Sequence, residues 1–442
     1  MKRRAFLKSL ALGAGASGMT VPLSQLYAAP AEYSGRLLVV WQMDGGWDVT
    51  QFCDPKTNTG GEPDINNWAN NADVRTAGNI HYAPVASNTS LFNKHYQNML
   101  VINGVDAQTN AHTTGVLHNW SGRNASGFPT MTALFAAENA ADIPLSYINF
   151  GGFAETARLI RYSRLDDTDA LLDLLQPNTQ PWARETRSYR FGVDLKRVQE
   201  AQQARLQRML NRDSITPRQR FNMDSYLAAR GSADALERMV DVLPSDGVFQ
   251  GDVSLGSSQL GSSNLLRQIQ LMMLAFDSGV ACAGDLFLGG FDTHATHDAD
   301  HESLYEHVAE ALDYFWDFAE ERGIADRITL VMGSDFGRTP FYNAEGGKDH
   351  WPIGSYVLME KDAPWGNRVV GLTDGVHNAY SINPATLQRD DAGGTIIYPK
   401  HVHQALRTYL GLDSSPLTAN FPFSNAEVFD FFNPNLSTGY ET

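Results

Sequence analysis

The stretch GRLLVVWQMD, Gly35–Asp44, decides the fold class. A strand with one wet face alternates apolar and polar residues. This one is almost unbroken in its apolar character and carries β-branched Val39 and Val40, so it reads as a strand covered on both faces, the mark of a parallel sheet. It stops at Asp44-Gly45-Gly46-Trp47-Asp48, a sharp loop. Similar short runs recur at Met99–Asn103, Leu145–Phe150, Val280–Leu288, Arg327–Met332 and Ser355–Met359. Helical patterns alternate with them: Pro129–Asn139, Leu265–Phe276 capped by Ser263 or Asn264, the long Glu302–Arg322, and His401–Leu410. The alternation predicts an α/β fold whose mainly parallel sheet has helices on both faces.

Two segments depart from this rhythm. Residues 54–90 are rich in Asn, Thr, Gly and Pro and read as an irregular surface excursion. Residues 155–245 read as a helical insert lying over the strand ends. It holds a helix at Leu195–Asn211, a second begun by the Thr216 cap with Pro217 at its first position, and a third expected from Ser232. The Gly/Ser-rich residues 246–263 read as a loop. His118, Trp120 and the aromatic run Tyr314–Phe318 are expected to pack in the core.

The N-terminus reads Met1-Lys2-Arg3-Arg4-Ala5-Phe6-Leu7-Lys8, followed by a weakly apolar Ala/Gly stretch and a small-x-small site at Ala29-Pro30-Ala31. These are the parts of a twin-arginine export signal over residues 1–31. The expected partner during export is therefore the twin-arginine translocase, and the expected location is periplasmic or extracellular. The mature domain is expected at 32–442. Export after folding favours a cofactor inserted in the cytoplasm. No other stretch approaches the length of a transmembrane segment. The net charge of −16 becomes −20 once Lys2, Arg3, Arg4 and Lys8 are removed. Such a surface repels phosphate backbones and excludes nucleic acid and anionic membrane as main partners. The two cysteines, Cys53 and Cys282, are read as unpaired thiols; there is no Cys/His zinc spacing.

Polar residues gather where a parallel sheet places its ligands, beyond the carboxyl ends of the strands. Asp44 follows the first strand, Asp292 and His294 a later one, and Asp335 another, while Asp349 and His350 precede the next. Carboxylates and imidazoles of this kind suit Zn²⁺, Mg²⁺, Mn²⁺ or Ca²⁺. Arg338 offers either a bidentate clamp for an oxyanion or an ion-pair partner for Asp335 or Asp349. His297, His301 and His307, flanked by Asp298, Asp300 and Glu302, read as a solvated helix entrance rather than a cation site. No P-loop, Rossmann fingerprint or GxSxG elbow is present.

GGFDTH (Gly289–His294), VMGSDFGRTP (Val331–Pro340), GGKDHW (Gly346–Trp351), the DGGWD loop and GNRVVG (Gly366–Gly371) together resemble the exported family called domain of unknown function 1501. That family belongs to the alkaline phosphatase/sulfatase superfamily, and the likeness covers nearly the whole mature chain. The resemblance implies a divalent metal held by Asp44, by Asp292 with His294, by Asp335, and by His350 as the last ligand. Asp335 is followed by Phe336 where relatives carry His, and Asp292 and His294 are closer in sequence than usual, which favours one metal over two. Relatives place a nucleophile at a helix start some ten residues before a Gly. Counting back from Gly122 reaches His112, with Thr113 and Thr114 beside it. A Thr hydroxyl would attack phosphorus or sulfur; His112 would form a phospho-enzyme, bind metal or move protons. Two functions follow. One is a metal-dependent hydrolase or transferase acting on small anionic phosphate or sulfate esters. The other is a periplasmic binding or scaffolding protein that has lost catalysis.

Overall fold

In the computed structural model, the described residues are 31–436 except 166–167, 184–185, 211, 213–215, 245–247 and 257–258. The export signal expected at residues 1–31 lies outside them, apart from Ala31.

The strands are β1 (Leu37–Met43), β2 (Met99–Asp106), β3 (Tyr147–Asn149), β4 (Ser163–Arg164), β5 (Ala283–Leu288), β6 (Ile328–Ser334), β7 (Ile353–Met359) and β8 (Arg368–Val370). They form one eight-stranded sheet in the order β8-β2-β7-β6-β1-β5-β3-β4. Every pairing is parallel except those of β7, which runs antiparallel to both β6 and β2. The expected α/β class with a mainly parallel sheet is the observed one.

β1 explains why its sequence lacks alternation. Leu37, Val39, Trp41 and Met43 enter one apolar core, and Leu38 and Val40 enter the other, on the opposite face of the sheet. The first core is closed by α7 (Leu265–Asp277) and α8 (His297–Glu321), the second by α3 (Met131–Asn139) and α9 (Pro399–Tyr409). Between β2 and α3 lies α2 (His112–Ser121), ended by Gly122 at φ +74. His118 and Trp120 are buried on it, as expected.

Four expectations need correction. The excursion at 54–90 carries a short hairpin and α1 (Asn88–His95), with Ile80, Tyr82 and Phe92 in the core. Its asparagines are internal: Asn66 donates to the Lys56 carbonyl at 2.9 Å and Asn88 to the Gln51 carbonyl at 2.9 Å. Between 155 and 245 stand α4 (Thr168–Leu175), α5 (Gly192–Leu210) and α6 (Pro217–Val242). α6 begins at Thr216 with a capping box to Gln219, as its sequence implies, but runs on through Ser232 instead of restarting there. The long helix α8 starts at His297, not Glu302, so His297 and His301 are wholly buried and His307 is nearly so. They are not a solvated entrance. Cys53 and Cys282 are free and buried. Among the described residues, no helix is long and apolar enough to cross a membrane.

Burial lowers the pKa of His301 well below its ordinary value, of His377 to about 4 and of His403 to about 3. Burial raises Asp285 to about 7. As pH falls through the ordinary histidine range the unfolded chain therefore protonates these imidazoles while the folded chain resists, whereas folded Asp285 already holds a proton that the unfolded chain has lost. The three imidazoles outweigh the one carboxyl, so stability falls as pH falls from 7 to 5.5. Urea unfolding at pH 7 and pH 5.5, with EDTA present, is expected to give a lower midpoint at pH 5.5. A flat profile contradicts the burial of these imidazoles.

Candidate metal centre

The topology brings the polar loops to one end of the sheet. Asp44, Asp292 and Asp335 follow the C-terminal ends of the parallel strands β1, β5 and β6. β7 runs the other way, so His350 and Trp351, just before it, come to the same end, where they pair with Gly337 and Arg338. His112 is the first residue of α2, which follows β2. Gly115 lets this helix approach: a Cβ there would lie 2.6 Å from the Asp335 carbonyl oxygen. Gly347 does the same for the opposite loop, where a Cβ would lie 1.9 Å from the backbone of His294.

Three imidazoles and one carboxylate converge. The Nε2 atoms of His112 and His350 are 3.1 Å apart, and those of His294 and His350 are 3.0 Å apart. Asp292 Oδ1 is 3.0 Å from His294 Nε2 and 3.1 Å from His350 Nε2, and its Oδ2 is 3.4 Å from His112 Nε2. The ligating atoms of His112, Asp292 and His350 form a compact set within 4.8 Å of one another. His294 joins it through His350 and Asp292. The side chains are open to solvent on one side, Asp292 and His294 by nearly half of their surface (46% and 45%).

The far side of each ring is occupied. His112 Nδ1 is 2.5 Å from Asp335 Oδ2, His294 Nδ1 is 2.9 Å from Asp349 Oδ1, and His350 Nδ1 is 2.7 Å from the Asn110 carbonyl oxygen. All three partners only accept, so each Nδ1 carries a proton, and the neutral form of each ring turns an Nε2 lone pair toward Asp292. Imidazoles that ligate metals are oriented in this way. Ligands at about 2.0–2.1 Å around a tetrahedral zinc stand roughly 3.3–3.4 Å from one another, close to the separations here. Three lone pairs and a carboxylate facing one another fit a divalent cation.

Arg338 is fully buried, and four of its five N–H donors are engaged locally. It donates to the Gly46 carbonyl at 2.8 Å, the Lys348 carbonyl at 3.1 Å, the Gly45 carbonyl, and Asp292 Oδ1 at 2.6 Å. Its acidic partner is thus Asp292, not Asp335 or Asp349. Burial works against ionisation of Asp292, but Arg338 and the histidines outweigh it and hold the carboxyl below its ordinary range. Asp335 is buried and also accepts from the Gly45 N–H at 3.1 Å and the Ser334 hydroxyl at 2.8 Å. The hydrogen bond that His112 donates to Asp335 raises its pKa above the usual value, against the effect of burial. Asp44 is raised by its burial and by the charge of Asp335. Thr113 is exposed and makes no side-chain contact with the centre.

Behind the centre lies a polar network that sequence reading missed. The Asp48 N–H donates to His301 Nε2 at 3.0 Å, and His301 Nδ1 then donates to the Thr293 hydroxyl at 3.1 Å. That hydroxyl donates to His297 Nδ1 at 2.6 Å, and His297 Nε2 donates to Asp48 Oδ2 at 2.9 Å. The ring closes on one residue with both imidazoles neutral. Burial keeps them so, lowering both their pKa values. Lys348, equally buried, supplies the balancing charge at 2.6 Å from Asp48 Oδ2. Burial opposes the ionisation of Asp48, yet Lys348 and His297 hold its carboxyl well below the usual range. The network ties together the loops that carry Asp44, Asp292 with His294, and Asp349 with His350.

A family model described as protein of unknown function (DUF1501) matches residues 35–390. The chain belongs to this family. No curated protein matches this member of it. Among solved structures, a sulfatase from Pseudoalteromonas sp. is 12% identical with a TM-score of 0.37, the match covering 91% of this chain and 72% of that one. The lipoteichoic acid synthase LtaP from Listeria monocytogenes is 10% identical with a TM-score of 0.32, covering 96% and 81%. The TAB5 alkaline phosphatase is 9% identical with a TM-score of 0.31, covering 76% and 94%.

Proposed function

We propose that this family member is an exported, metal-dependent hydrolase or transferase acting on phosphate or sulfate esters. The observation that carries the reading is the set of three imidazoles, each held at Nδ1 by an acceptor, whose Nε2 atoms face Asp292. In this reading His112, Asp292, His294 and His350 hold the cation, with Asp44 as a further carboxylate of the same site. Asp335 and Asp349 are positioning residues that fix His112 and His294. A bound divalent cation would supply Lewis-acid polarisation of the ester oxygen. Arg338 clamps Asp292 and spends four of its five N–H donors on this loop framework. The N-terminus of α2 presents its first N–H groups on the side of His112, where an anionic group is favoured. Export through the twin-arginine route to the periplasm is part of the same proposal.

A second reading, a binding or scaffolding protein without catalysis, is favoured by one observation. Among the described residues, no Ser, Thr or Tyr hydroxyl is hydrogen-bonded to His112, Asp292, His294 or His350. A covalent hydroxyl nucleophile therefore has to come from Thr113 by a rotation or be replaced by water. A panel of phosphate and sulfate mono- and diesters, run on protein reconstituted in turn with Zn²⁺, Mn²⁺, Mg²⁺ and Ca²⁺, separates the two. Turnover that disappears in Asp292→Asn and His350→Ala, with far-UV circular dichroism unchanged, is the expected result. Metal bound without turnover of any ester leaves the second reading.

A further inference from the structure

A cleft of about 340 Å³ opens beside the centre and shares Asp349 with it. Its size is at the low end of the roughly 300–1,000 Å³ typical of small-molecule sites. Phe341, Tyr342, Trp351 and Val376 supply apolar walls, and no Lys or Arg lines it. Its side-chain donors are already engaged, save one N–H of the Asn378 amide. The Trp351 indole donates to the His377 carbonyl at 2.8 Å, the Tyr342 hydroxyl to Asp298 at 2.7 Å and the Thr339 hydroxyl to the Phe341 carbonyl at 3.1 Å. The Asn343 amide donates to the His294 carbonyl at 3.0 Å and the Asn378 amide to Asp374 at 2.9 Å. What remains beside that one N–H is acceptors and ring faces. Asp349 binds His294 and Asn343 through Oδ1 alone, which leaves Oδ2 without a partner on a side chain that is 57% exposed. The Asn378 side-chain oxygen faces no donor.

A site made of aromatic faces and a free carboxylate oxygen, with a single free amide N–H, selects for positive charge. Lys348 approaches the Tyr342 ring at 5.0 Å, but it is fully buried and neutralised by Asp48, so it presents no charge to the cleft. The chain's net charge of −16 points the same way, because it concentrates cations near the surface. A hydroxyl-rich neutral ring would find acceptors here but only one side-chain donor, on Asn378, for its own oxygens.

We propose that this cleft binds an alkylammonium group, and that the ester handled at the centre is that of an amino alcohol, its anionic end at the histidines and its cationic end against Trp351 and Asp349. The substrate assignment rests on the reading of the centre given above; the ammonium site does not. Calorimetric titration of the full-length purified protein with choline chloride tests it, with 3,3-dimethylbutan-1-ol as the uncharged isostere. Choline is expected to bind once per chain, and the isostere at least about tenfold more weakly. Val376 is exposed, so Val376→Lys keeps the fold and places a cation in the mouth of the cleft. It is expected to weaken choline at least tenfold while leaving bound metal and the thermal midpoint unchanged. Equal binding of the isostere, choline binding unchanged in Val376→Lys, or no choline binding at all overturns the proposal. If the variant's midpoint falls, Phe341→Ala, on the same wall, is expected to weaken choline in its place. Choline binding absent with metal present fails the cleft alone; choline binding present with metal absent fails the centre alone.

Discussion

Asp48→Ala is expected to destabilise the folded chain by about 3–5 kcal/mol, the cost of leaving a buried charge without its partner. The charge is the Lys348 ammonium, which has no solvent exposure and stands 2.6 Å from the Asp48 carboxylate. The same substitution opens the ring through His301, Thr293 and His297, because His297 Nε2 then has no acceptor. Removing both charges together, as Asp48→Ala with Lys348→Met, is expected to recover a large part of the loss. Urea midpoints of the wild type, both single variants and the double variant check this. Additive losses contradict the account, since residues in direct contact within one network must couple. Loss of metal at temperatures where the fold persists is a second expected effect, because this network holds three of the loops that carry the centre.

The second large effect concerns groups that touch no metal in the proposed arrangement. Asp335→Asn and Asp349→Asn are each expected to weaken metal binding about 10–100-fold by releasing the Nδ1 side of His112 and His294. Asp335→Asn is expected to be the more severe. Asp335 is buried and also receives the Gly45 N–H and the Ser334 hydroxyl, whereas Asp349 is largely exposed. Competition with a chromophoric chelator at fixed pH measures both. Unchanged affinity in the two variants contradicts the orienting role and returns these carboxylates to direct ligation or to none.

The sheet and most of the centre were legible because burial on both faces of a strand leaves unbroken apolar runs, and because polar residues directly after such runs must sit at the sheet's ligand-binding end. Asp44, Asp292, His294, Asp335 and His350 are expected at that end on this ground, and the structure places them there. What escaped was polar residues that fold inward. His297, Asp300 and His301 look like a solvated helix entrance, but His297 and His301 are four apart, and Tyr305, Val308 and Leu312 continue the same face into the core. That spacing was the available signal. The asparagines at 66 and 88 misled for the same reason: composition reports polarity, not whether a polar group finds its partner inside. The expected break at Ser232 failed because Gly231-Ser232 is a local signal only, and Ala235, Leu236 and Met239 bury the helix that runs through it. The role of His112 could not be read from its neighbours in sequence, because its partners Asp335 and His350 lie more than two hundred residues away.

The most direct test of the central claim is metal content by elemental mass spectrometry, on protein purified after native export and without chelator, beside His112→Ala and His350→Ala. Bound divalent metal is expected in the wild type, and its loss in both variants, with circular dichroism unchanged. Wild-type protein that carries no metal, and takes up none from Zn²⁺, Mn²⁺, Mg²⁺ or Ca²⁺, would contradict that claim.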